Sequence, residues 1–499
     1  MRGVIDLGKG AETRALEMGS QNSSAAGGME KEIRVPVTRI EGHGKITIVL
    51  DRDGNVADAK FHVVSVRGFE KFCEGRLVWE MPVITSRICG ICPVSHSLAS
   101  AKAGDAILGI DIPGPAKKLR LLLHMGQMIQ SHALSLFYLS LPDLVLGFDY
   151  EMERRNIVGL LESRPELARR GVALRKFGQE VIEALAGRRV HPTFAIPGGV
   201  NGMLQPEKRD ALLAQIDGVI ENARSTIGLV KDACLKQEEA IPVRTYNMGL
   251  VGRDGALEFY DGELRIKDQR GNIIEDGFNP SDYLSIIGER VEDWSYLKFP
   301  YYRWAGFPKG SLRVGPLGRL NVADRIPTPL AEEEFKEFKA MGENGLVDRT
   351  IFYHYARAIE MLHAAERAKE LLQDEEICSK EIWNESREIE NEEGVGVIEA
   401  PRGTLIHHYW VNRDGTIRKA NLIVSTVFNN MGMNLAIKEV ASKRIRNGRF
   451  DEGILNHVEH AIRCFDPCLS CATHAVGQMP LSIQLVSPDG EVLGEISRG

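Results

Sequence analysis

The 499-residue chain has a formal charge of -7, with 43% hydrophobic and 26% charged residues, a globular composition long enough for one large core or two to three domains. The acidic balance argues against nucleic acid or an anionic membrane surface as main partner, and no run approaches the ~18 apolar residues of a membrane span. Eight cysteines without a continuous apolar leader point to a cytoplasmic chain with metal or redox chemistry rather than a disulfide framework.

Residues 1–30, with the low-complexity stretch 21–28, read as a flexible arm. Order begins near Lys31: residues 33–40 alternate, and 45–50 and 56–66 flank Asp51-Arg-Asp-Gly54, a hairpin turn signal. Between them lies Arg39-Ile-Glu41-Gly-His43, where glycine allows close backbone approach and a carboxylate sits beside an imidazole. A satisfied loop ion pair is the ordinary explanation. Arg67-Gly-Phe-Glu70 follows, and Glu70 taken alone is a solvated helix-start carboxylate. Arg87-Ile-Cys89-Gly-Ile-Cys92-Pro-Val-Ser-His96 then opens a helix on which Cys89, Cys92 and His96 share one face at i, i+3, i+7. Residues 117–141 predict a long core helix closed by Pro142, with Met125 and Met128 as packing residues and His124 and His132 as core histidines.

Further helices are expected at 165–186 and 206–239, separated by a proline-glycine loop at 191–199 that lacks the Lys-Ser/Thr ending of a phosphate cradle. Residues 257–277 form a hairpin around 269–271, and 293–325 reads as an irregular surface-covering segment. Helical periodicity returns at 348–372, and an acidic, solvated stretch follows at 374–394. Glu399-Ala-Pro-Arg402-Gly403 leads into strands 405–412 and 417–426. Arg402 is either a plain surface residue or a guanidinium fixed toward a pocket. Helices at 433–446 and 454–463 lead to Cys464-Phe-Asp466-Pro-Cys468-Leu-Ser-Cys471-Ala-Thr-His474, and 481–486 with 491–496 forms a last hairpin. Asp466 and Pro467 suit an N-cap and first helical position, which would place Cys468, Cys471 and His474 on one face at i, i+3, i+6.

Two Cys-x-x-Cys pairs imply a metal centre if the fold brings them together. Structural zinc is the commonest reading, but such pairs usually lie within tens of residues and staple a small fold. The spacing matches none of the usual iron–sulfur runs. A site assembled from opposite ends of a large chain more often serves chemistry. On spacing alone, zinc and a catalytic metal both stay open.

Arg87-x-Cys89-Gly-x-Cys92-x-x-x-His96 with Asp466-Pro-Cys468-x-x-Cys471-x-x-His474 resembles the paired signatures of the large subunit of nickel–iron hydrogenases. The 39–43, 67–70 and 399–403 motifs extend the resemblance in the family's order, from about residue 33 to the C-terminus. The wording around them is closest to the F420-non-reducing (methyl-viologen-reducing) cytoplasmic branch, with NAD-linked and sulfur-linked enzymes as near neighbours. The resemblance implies an α+β, mainly helical fold with a long-helix core and peripheral hairpins. It divides the chain into the 1–30 arm, a 31–474 hydrogenase domain and a 475–499 extension removed by a nickel-dependent maturation protease.

By the same resemblance, Cys89 and Cys468 are terminal nickel thiolates, and Cys92 and Cys471 bridge nickel to an iron bearing cyanide and carbon monoxide. His96 orients a bridging sulfur, Glu70 and His474 hold Mg2+, Arg402 lies over the open coordination site, and Thr426 meets a cyanide. Hydrogen is split heterolytically, Cys468 receives the proton and Glu41 takes it onward. Implied partners are an iron–sulfur small subunit, an electron-transfer subunit, metallochaperones and the protease, with electrons passing preferentially to a heterodisulfide reductase/ferredoxin system. Two departures stand out: Ser131 beside His132 replaces an aspartate of many relatives, and Ile423-Val-Ser-Thr426 lacks a proline-Ser/Thr step. The rival classes are a non-catalytic relative such as the quinone-binding subunit of respiratory complex I, and a zinc-stabilised scaffold.

Overall fold

Four long helices enclose the centre of the computed structural model, which describes residues 31–63, 68–237, 241–385, 388–469, 481–486 and 492–498. The Gly114–Ala133 helix packs on Pro165–Ala186 and Tyr353–Gln373, and Pro206–Leu235 closes the ring against the latter two. Gly126 and Gly178 mark where the first two cross: a Cβ on Gly178 would stand 2.5 Å from the Gly126 carbonyl oxygen. Backbone meets backbone there, so no side chain fits. Pro142 does not close the central helix as expected. Residues Leu134–Ser140 widen into π-helix and Pro142 enters the first turn of Leu141–Leu146, where its missing N–H leaves no bond unmade.

Three sheets surround this core. One is antiparallel and five-stranded, ordered Val492–Arg498, Leu481–Val486, Lys31–Pro36, Gly44–Leu50, Val56–Val63. The C-terminal hairpin therefore extends the N-terminal one, with Glu32 opposite Val486. A four-stranded sheet combines the hairpin expected at 257–277, formed by Glu263–Lys267 and Ile273–Phe278, with Tyr246–Val251 and a short parallel strand at Leu312–Arg313. The third joins Glu393–Ala400, Gly403–Val411 and Ile417–Ile423. On it lies the Pro93–Ile107 helix, seated by alternate glycines. A Cβ on Gly396 would fall 1.9 Å from the Ala99 carbonyl oxygen, and one on Gly394 would fall 2.4 Å from that of Ala103. No helix among the described residues is long and apolar enough to cross a membrane.

The segment 293–325 is not an irregular cover. It supplies the strand Ser295–Tyr302 and the fully buried helix Pro316–Val322, which starts where Gly315, at φ 86°, turns the chain inward. His124, His132, Met125 and Met128 are core residues, as expected. Of the 1–30 and 475–499 boundaries, residues 1–30 and 470–480 lie outside the described residues.

Candidate metal centre

Cys89, Cys92 and Cys468 do not sit on helix faces, which corrects the sequence reading for these three. The first pair occupies the loop between Met81–Ser86 and Pro93–Ile107, with Cys92 at the N-cap position before Pro93. A proline there starts the helix and releases the residues before it from helical bonding. The freed amides turn onto sulfur instead: Ile91 N–H and Cys92 N–H both donate to Cys89 Sγ at 3.3 Å. Gln127 and Gln130 of the central helix anchor this loop by donating to the Ile91 carbonyl at 2.9 and 2.8 Å.

The second pair follows the Glu452–Phe465 helix. Asp466 is not the N-cap of a new helix but the left-handed residue that ends this one, with φ 52°. The reversal sends Cys468 alongside Glu41 in a strand-like bridge, where Leu469 N–H donates to the Glu41 carbonyl at 2.8 Å. Cys468 N–H donates to Thr426 Oγ1 at 2.9 Å, so Thr426 holds the cysteine's backbone. Cys471 and His474 lie outside the described residues, as does Arg67.

Cys468 Sγ stands 3.0 Å from Cys89 Sγ and 3.9 Å from Cys92 Sγ, and all three residues are buried. None of the three is in a disulfide. Three soft donors packed this closely without a disulfide form a ligand set, because as thiolates they need a cation among them. The donor chemistry fits a soft transition metal. Glu70 lies apart in the first turn of Phe69–Cys73, half-buried, and accepts from Leu422 N–H at 2.9 Å.

Arg402 is the one cation aimed into this space among the described residues. Ala400 pairs with Gly403, so Pro401 and Arg402 are the two residues of a tight hairpin turn. The guanidinium is buried, donating through Nε to the Asp466 carbonyl at 2.7 Å and through Nη2 to Asp466 Oδ1 at 3.1 Å. Ser131 Oγ, where relatives were expected to carry aspartate, is only a distant partner at 3.4 Å. Asp466 thus supplies the counter-charge. Burial alone would lower the Arg402 pKa; Asp466 and then the thiols of Cys468, Cys92 and Cys89 outweigh it and hold the guanidinium charged. Cys92, His96, Arg402, Thr426 and Cys468 line a tight cavity of about 10 Å³.

Sequence reasoning missed the supports behind these groups. Arg319, fully buried, grips Glu360 with two nitrogens at 2.7 and 2.6 Å and Glu399 Oε2 at 2.8 Å. It also donates to the carbonyls of Ala400 and Pro401 at 2.7 and 3.2 Å, which fixes the turn that carries Arg402. Asp143, equally buried, accepts from Arg39, His460 and Arg463 and so ties the Glu41 loop to the helix leading to Cys468. His354, His460 and Cys464 form a second close group of soft donors. Arg357 donates to His354 Nδ1 at 3.2 Å, leaving the proton of neutral His354 on Nε2, which donates to His460 Nε2 at 3.2 Å. His460 in turn donates to Asp143 at 2.9 Å. That group is a hydrogen-bond chain beside a guanidinium, not a cation site.

Comparison with known proteins agrees with this geometry. The family model for nickel-dependent hydrogenases matches residues 67–147 and 255–474, and a HoxL-like model matches residues 32–66. The chain is 44% identical to the beta chain of the NAD-reducing hydrogenase HoxS of Cupriavidus necator, over 93% of this chain and 98% of that one. It is 42% identical to an F420-non-reducing hydrogenase chain of Methanothermobacter thermautotrophicus, over 94% of this chain and 100% of that one. Among solved structures, an NAD+-reducing [NiFe]-hydrogenase in the H2-reduced state superposes with a TM-score of 0.86 at 45% identity, covering 89% of this chain and 99% of that one.

Proposed function

This chain belongs to the nickel-dependent hydrogenase family, as the hydrogen-activating large subunit of an oxidoreductase with a nickel–iron centre, and from that premise we propose how its residues divide the work. Cys89, Cys92 and Cys468, together with Cys471, would hold the nickel–iron centre through their thiolates. The observation that carries this reading is the meeting of Cys89, Cys92 and Cys468 sulfurs beneath a buried arginine. Bound there, the centre supplies heterolytic cleavage of H2.

The protein's own part is proton handling and charge. A proton held at Cys468 Sγ has Glu41 on the segment bridged to it, and Glu41 passes it outward. Arg402, kept charged and immobile by Asp466, would stabilise negative charge developing at the bound centre. Thr426 fixes Cys468, and its own hydroxyl hydrogen would be available to a ligand of that centre. Glu70 and His474 would hold Mg2+.

Electrons leave through an iron–sulfur small subunit. Apart from the centre, the described residues place no cysteine cluster with metal-site geometry along a path. An electron-transfer subunit then delivers them to a heterodisulfide reductase or ferredoxin system. The second reading is an NAD-linked acceptor, favoured by the likeness to NAD-reducing enzymes. Metallochaperones load the site, and the nickel-dependent protease removes 475–499. The buried thiols, none in a disulfide, fit the reducing cytoplasm. Metal analysis with infrared spectroscopy on protein matured with its accessory factors tests the whole. Nickel, iron and bands in the cyanide and carbonyl region are expected; zinc alone without such bands overturns it.

A further inference from the structure

Four buried polar side chains run in line from the sheet's interior to the metal cavity. Ser100 Oγ lies 3.0 Å from the Tyr409 hydroxyl, which lies 2.8 Å from His407 Nδ1. His407 Nε2 lies 3.1 Å from His96 Nδ1, and His96 lines the cavity with Cys92 and Cys468. None is more than 1% exposed. Two elements supply all four. His96 and Ser100 are one turn apart on the Pro93–Ile107 helix, and His407 and Tyr409 share one face of the Gly403–Val411 strand. The glycines at 394 and 396 press that helix onto the same sheet.

The chain has a direction. A neutral imidazole offers one donor and one acceptor. A phenol is the better donor and a bare imidazole nitrogen the better acceptor, so the shortest contact runs from Tyr409 O–H to His407 Nδ1. His407 must then carry its proton on Nε2 and donate it to His96 Nδ1. That leaves the proton of neutral His96 on Nε2, the ring nitrogen away from His407.

We propose that Ser100, Tyr409 and His407 are positioning residues that lock His96 in the Nε2–H tautomer, presenting a hydrogen-bond donor to the cavity that Cys92 and Cys468 line. The proposal rests on the thiolate centre assigned above. Its test does not need the metal. The full chain is prepared without metal and with nitrogen-labelled histidine, and His96 is assigned by loss of its signals in His96→Gln. Long-range proton–nitrogen spectra then show which ring nitrogen carries the proton.

In the unaltered chain the proton is expected on His96 Nε2; finding it on Nδ1 overturns the proposal. Tyr409→Phe removes only the hydroxyl and is expected to bring in the other tautomer at both His407 and His96. His407→Gln keeps an amide N–H toward His96 Nδ1 and is expected to preserve the Nε2–H form, whereas His407→Leu is expected to lose it. If Tyr409→Phe does not fold, this glutamine–leucine contrast decides. An unmoved tautomer in Tyr409→Phe or His407→Leu refutes the positioning role. In matured enzyme, Tyr409→Phe should shift the cyanide and carbonyl bands at unchanged nickel content; unshifted bands would mean the donor never reaches the centre. Absence of nickel and iron would sink the hydrogenase reading while leaving the tautomer result as measured.

Discussion

Asp143→Asn is the change that most directly tests how the two distant chain segments are held at the centre. The side chain keeps its shape and loses its charge. Asp143 is 0% exposed and accepts from Arg39, from Arg463 Nη1 at 2.9 Å, from His460 Nδ1 at 2.9 Å and from Asn456 Nδ2 at 3.2 Å. Removing one partner of a buried ionic group costs about 3–5 kcal/mol. Arg463 retains Glu459 and Asn456, and Arg39 retains the Leu139 carbonyl, which argues for the lower end. A loss of about 3 kcal/mol, on the order of a hundredfold in the folding equilibrium, is expected. Urea unfolding at matched slopes measures it. Burial opposes ionisation of Asp143, but Arg463, then His460 and Arg39, hold its carboxyl far below the usual carboxylate range. A carboxyl depressed on folding stabilises above its unfolded pKa of about 3.9 and loses that contribution as pH falls toward the folded value. The difference between the two proteins should therefore stay level from about pH 8 to pH 5 and shrink only in stronger acid. A difference below about 1 kcal/mol at neutral pH would refute the hub.

Glu41→Gln should stop hydrogen–deuterium exchange by matured enzyme while nickel and iron contents stay normal; an unimpaired exchange rate removes Glu41 from the relay. Arg402→Lys cannot keep both contacts to Asp466, and turnover should fall about 10²- to 10³-fold with the centre still assembled, as infrared bands would verify. Cutting the chain after His474 removes the strands Leu481–Val486 and Val492–Arg498 and leaves Lys31–Pro36 at a sheet edge. Amide exchange across 31–36 should then accelerate, and mass spectrometry that finds no change would show the tail hairpin does not protect it.

Elements set by local pattern were legible in the sequence. The Pro165–Ala186 helix ran as its periodicity required, and the glycine turns placed the hairpins. The cysteine pairs were legible as candidate ligands, but their geometry was not. Helical spacing put them on helix faces, whereas ligands that converge on one point need backbone freed from helical bonding. Cys89, Cys92 and Cys468 accordingly sit outside regular helix. Arg319, Asp143 and His407 gave no sign at all. A charged or imidazole side chain in isolation carries no mark of burial, and each of the three has a partner tens to hundreds of residues away. Arg319 was further masked by its Gly-Pro-rich surroundings, which read as surface and proved to be a turn into the core.

The four segments that meet at the centre share one design. Glu41, Cys89, Arg402 and Cys468 each stand in a loop, turn or bridge, and each has a rigid element immediately behind it. Arg39, Gly403 and Asp466 take the chain through positive φ at the points where three of these segments leave regular structure. Side chains on such segments can aim at a common point, while the elements behind them set the precision that the chemistry demands. The two layers should respond differently to substitution. On the proposed reading Glu41 and Arg402 touch the reacting region, so conservative changes there should cost rate first. Asp143 and Arg319 lie one layer back, each with a buried charge neutralised by partners from other elements. Changes there should cost folding and metal loading together, and rate only through them.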